Sequence, residues 1–67
     1  MTNTTEARGL LENPQNRLAH AGASLFVAGT DPKKWFADHP DCLDHARDIR
    51  RGYEAASILR AGGELFV

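Results

Sequence analysis

A chain of 67 residues with a single cysteine, Cys42, cannot staple itself with an internal disulfide. That limits its fold more than any other feature. A domain of about 60 residues buries only roughly 60% of the surface its unfolded chain exposes. Below about 70–80 residues one core rarely supplies more than about 3–5 kcal/mol. A disulfide, a metal or a second copy usually makes up the difference, and the lone thiol, which fits a reducing compartment, leaves the last two. The expectation is one domain over residues 1–67, supplemented by self-association.

Prolines divide the chain. Asn13-Pro14 and Asp31-Pro32 each set a good N-cap before a proline at a first helical position. His39-Pro40 is followed by Asp41 and Asp44, carboxylates that suit the positive end of a helix dipole. Before the second proline, Leu11, Leu18 and Leu25 recur at seven-residue steps, interleaved with Ala21, Gly22 and Ala28. This is a helical packing stripe of large and small residues. It predicts either one helix from about Thr5 to Gly29, kinked at Pro14, or a short turn preceding a helix that starts there. A second helix is predicted from Pro40 to Ala61. Its stripe is Cys42, Ala46, Ile49, Tyr53, Ala56 and Leu59, and Gly62-Gly63 closes it. Gly52 lies inside that helix at a cost of about 1 kcal/mol against alanine, and could admit a close backbone. Lys33 to Ala37 leaves room for about two turns between the long helices. The reading is all-α: an antiparallel helical hairpin with a short connecting helical turn. Val27, Ile58 and the Leu65-Phe66-Val67 tail stay outside both stripes, and a homodimer would cover them.

Chemistry is sparse. His39, Cys42 and His45 stand at three-residue steps, with Asp38 or Asp41 available as a fourth ligand. Structural zinc sites usually combine two separated ligand pairs, and Cys42 lies on the apolar stripe, so it is read as packing. No metal or other cofactor is expected. His20 and Ser24 are four residues apart without a third group to orient them, and no enzyme is expected. The formal charge of −1 gives no basic footprint for nucleic acid. Arg47, Arg50, Arg51 and Arg60, with Lys33 and Lys34, are interrupted by Asp41, Asp44, Asp48 and Glu54. The pairs Asp44/Arg47, Asp48/Arg51 and Arg50/Glu54 read as a solvated helix face. A DNA-associated regulator using those arginines is the alternative function. No apolar run approaches a membrane span, and the polar start lacks the apolar stretch of a secretory leader, so the expected location is cytoplasmic.

The candidate partner-binding residues are Trp35 and Phe36 on the connector and Asp41, Asp44 and Asp48 near the start of the second long helix. Trp35 and Phe36 could instead plug the end of the hairpin. On the second long helix, Asp44 and Asp48 would share a face, and the acidic patch could engage a basic surface.

Three features together give a layout that resembles the small anti-activator proteins encoded by temperate phages of Pseudomonas. These are the polar start Met1-Thr2-Asn3-Thr4-Thr5, the two heptad-like stripes, and the Asp31-Pro32 connector with Trp35. Such proteins are helical-hairpin dimers that inhibit host proteins by contact, among them a LuxR-type quorum-sensing activator, through its DNA-binding domain, and the type IV pilus assembly ATPase. The resemblance implies an inhibitor of a host transcription activator, or of another host protein, acting in the host cytoplasm without direct nucleic-acid contact. No binding residue is carried over from it.

Overall fold

The computed structural model describes residues 4–63, and they are all-helical. Helix α1 spans Thr4–Glu12, α2 Arg17–Ala28, α3 Pro32–Asp38 and α4 Ala46–Ala61, with a 3₁₀ segment at Pro40–His45 leading into α4. The Met1-Thr2-Asn3 start and the Leu65-Phe66-Val67 tail lie outside the described residues.

Pro14 breaks the first helical region instead of kinking it. Asn13 and Pro14 form a turn, not the cap and first residue of a helix: the Asn16 amide donates to the Asn13 carbonyl at 3.1 Å. The Gln15 amide donates to the Asn13 side-chain oxygen at 3.0 Å, an Asx turn. The Asn16 side-chain amide donates to the Leu10 carbonyl at 2.9 Å, satisfying an acceptor the end of α1 leaves open. Helix α2 therefore starts at Arg17, not Pro14. It stops at Gly29, whose φ of 72° is left-handed, with the Thr30 amide donating to the Leu25 carbonyl at 3.0 Å. Asp31 caps α3 as its sequence predicts, accepting from the Lys33 amide at 3.0 Å.

The second long helix is not α-helical from Pro40. His45, the last residue of the 3₁₀ segment, stands at φ −110° and ψ 10° where α4 begins, and the N-terminus of α4 has no side-chain cap. Its stripe holds all the same. Ile49, Ala56 and Leu59 are buried, while Cys42, Ala46 and Tyr53 pack around the core.

Two buried clusters make up that core. Leu25, Phe36 and Ile49 form one, and Ala7, Ala55 and Leu59 the other. Between them α2 and α4 meet backbone to backbone. A Cβ placed on Gly22 would come within 2.7 Å of the Tyr53 amide nitrogen and still nearer the Ile49 carbonyl oxygen. One placed on Gly52 would strike the Ala19 carbonyl. Gly22 therefore faces the stretch Ile49 to Tyr53 of α4, and Gly52 faces Ala19 of α2. The close approach expected at Gly52 is realised, and Gly22 is its counterpart.

Candidate partner-binding surfaces

The connector aromatics have different fates. Phe36 is 3% exposed and packs with Leu25 and Ile49, so its ring belongs to the core and is not presented to a partner. The Arg50 guanidinium lies 5.6 Å from the centre of that ring; in the sequence it reads as a partner of Glu54. Trp35 is half-buried. It meets Phe36 edge-on at 5.4 Å and stacks on His39 at 4.2 Å. His39 Nδ1 donates to the Trp35 carbonyl at 2.9 Å, which holds the stack in place. Plugging describes Phe36, and Trp35 keeps one partly open side.

Asp41, Asp44 and Asp48 are all exposed, but they do not form one helical row. Asp41 and Asp44 sit three apart in the 3₁₀ segment, whose three-residue period puts them on one edge. Asp48 is in the first turn of α4. It lines a cleft at the start of α2 with Arg17, Arg51, Gln15 and Asn16. The shared face expected for Asp44 and Asp48 assumed an uninterrupted α-helix, whereas Asp44 lies in the 3₁₀ segment and Asp48 in α4.

Sequence reasoning passed over Leu43. It is 55% exposed, between Asp41 and Asp44. Its neighbour Cys42 packs against Leu25, Phe36 and Ile49, and Leu43 lies off the stripe that Cys42 begins. A second apolar surface lies on α2. Val27 is 47% exposed, and a shallow groove there is lined by Leu11, His20, Ala23, Ser24, Val27 and Ala28. Val27 is one of the residues the sequence left outside both stripes.

The remaining candidates are dispersed. His20 Nε2 donates to the Asn13 carbonyl at 3.1 Å. Among the described residues no three His, Cys, Asp or Glu side chains converge as a metal site requires. The α4 arginines diverge: Arg50 covers Phe36, Arg60 lies 5.9 Å from the Phe26 ring centre, and Arg51 lines the cleft with Asp48. No described helix is long and apolar enough to cross a membrane. Compared with protein-family models, curated proteins and solved structures, the chain matches none.

Proposed function

We propose that the chain is a non-enzymatic binding protein of the cytoplasm, a homodimer of helical hairpins built on the α2–α4 pair, which inhibits a larger host regulator by contact. The observation that carries this reading is Leu43, 55% exposed and flanked by the exposed carboxylates of Asp41 and Asp44. An apolar anchor flanked by two carboxylates suits a protein partner with a basic rim and an apolar pocket. The apolar contact supplies affinity, while the charges speed encounter and reject wrong partners. A DNA-binding domain presents such a basic surface. The resemblance names the target, the DNA-binding domain of a LuxR-type activator, and the half-buried Trp35 on α3 adds an aromatic contact.

The test is inhibition of operator binding by the purified activator. Wild-type protein should release the activator from DNA. The Asp41→Lys/Asp44→Lys variant and Leu43→Ser should fail to do so while keeping wild-type helix content. Undiminished inhibition by both variants excludes this surface. Direct binding of duplex DNA by the protein alone, weakening steeply with salt, would replace the proposal with the arginine-based DNA-associated regulator.

A further inference from the structure

The exposed side of α2 is unlike any other helix surface in the molecule. Arg17, His20, Ser24, Val27 and Ala28 are its exposed positions. From Leu18 to Thr30 the sequence has no Asp, Glu, Lys or Arg, although a quarter of the chain is charged. On α4 the exposed positions include Arg47, Asp48, Arg50, Arg51, Glu54 and Arg60. A solvent-facing helix side would carry charges of that kind. On α2 the place is taken by the groove that runs past Ala23, Ser24 and Val27 to Leu11.

The neutral stretch ends in opposite charges, Arg17 before it and Asp31 after it, both exposed. Each lies seven residues from Ser24. We propose that this face binds the same face of a second copy, with the two α2 helices antiparallel across a two-fold axis at Ser24. In that arrangement Arg17, at the start of one α2, lies at the end where Asp31 follows the other α2, and His20 stands beside Ala28. A parallel pairing would set Arg17 against Arg17 and Asp31 against Asp31, and would align the two helix dipoles. Charge complementarity therefore selects the antiparallel register, and one patch serves both subunits, as a two-fold interface requires. Small residues at the axis, Ala23 and Ser24, allow the helices to approach to about 8 Å, the short end of helix packing. The contact is one helix pair flanked by Leu11, at the small end of stable interfaces, so the dimer forms at micromolar concentrations.

The inference rests on the homodimer in the proposed function and assigns its surface, so the experiment separates the two. Wild-type protein should sediment as a dimer at micromolar concentration, and Ser24→Glu, which sets two carboxylates against each other on the axis, should sediment as a monomer with unchanged helix content. Asp31→Asn keeps the cap of α3 but removes the charge, and should weaken the dimer about two- to thirtyfold, the range of the two exposed ion pairs that the two-fold axis removes together. With Cys42 replaced by alanine, Ser24→Cys should oxidise to a disulfide-linked dimer, whereas Ser57→Cys, on the exposed side of α4, should not. A wild-type monomer overturns both the homodimer and this interface. A wild-type dimer that survives Ser24→Glu, or that cross-links through Ser57→Cys and not Ser24→Cys, keeps the homodimer and overturns the α2 interface. An unchanged dimer affinity in Asp31→Asn overturns the antiparallel register.

Discussion

Alanine in place of glycine should have two opposite outcomes in this chain. Gly9 lies within α1 with open space where a Cβ would go, so Gly9→Ala should stabilise by about 0.5–1 kcal/mol, the ordinary helix preference. Gly22→Ala gains the same preference and still should destabilise, by about 1–3 kcal/mol net, because the new methyl group meets α4 backbone that cannot rotate away. Urea denaturation of both variants decides this; a stabilised Gly22→Ala would mean that the helices can separate at no cost. Ile49, 2% exposed at the centre of its cluster, should cost about 2–5 kcal/mol on replacement by alanine. Cys42 packs on that cluster at half burial, and Cys42→Ala should retain the fold with and without a chelator; folding that depends on zinc in the wild type alone would reinstate it as a ligand.

Among the elements, α4 was the most legible, because alternating steps of three and four name a buried face whatever that face meets. The cap at Asp31 and the stop at Gly29 were legible too, since both are local chemistry. The first turn of the second long helix was not. A 3₁₀ and an α turn differ by 0.6 residue, a difference too small to leave a periodic trace over six residues. The choice between Trp35 and Phe36 was equally hidden. Neighbours in a short helix point to different sides, and which side is inside depends on where α3 lands on α2 and α4. The fate of Pro14 turned on Asn16 reaching back to Leu10, a bond between residues six apart. These differences should appear in hydrogen exchange. Amides of Leu43 to His45, in the exposed 3₁₀ segment, should exchange well before those of Ile49 to Leu59. Equal protection across both spans would mean that the segment and α4 open as one unit.

For the whole molecule, the main consequence comes from the seam between α2 and α4. Ala19, Gly22 and Gly52 are buried there, and Ala55 and Ala56 are buried on α4 as well, so much of the interior is main chain and methyl groups. Close contact of this kind gains dispersion and excludes water while removing little hydrocarbon surface per residue. The heat capacity of unfolding tracks that surface, and averages about 12–15 cal/mol/K per residue in globular proteins. This chain should fall below the average, with a correspondingly shallow dependence on urea. A small heat-capacity change flattens the curve of stability against temperature. Calorimetry should therefore find a stability that varies little from the cold to body heat and a midpoint that is high for so modest a maximum. A heat capacity at or above the average would mean that larger apolar groups dominate the interior. Holding the helices together through their backbones should thus give a folded fraction that varies little with temperature, and the proposed pairing would make concentration its stronger control.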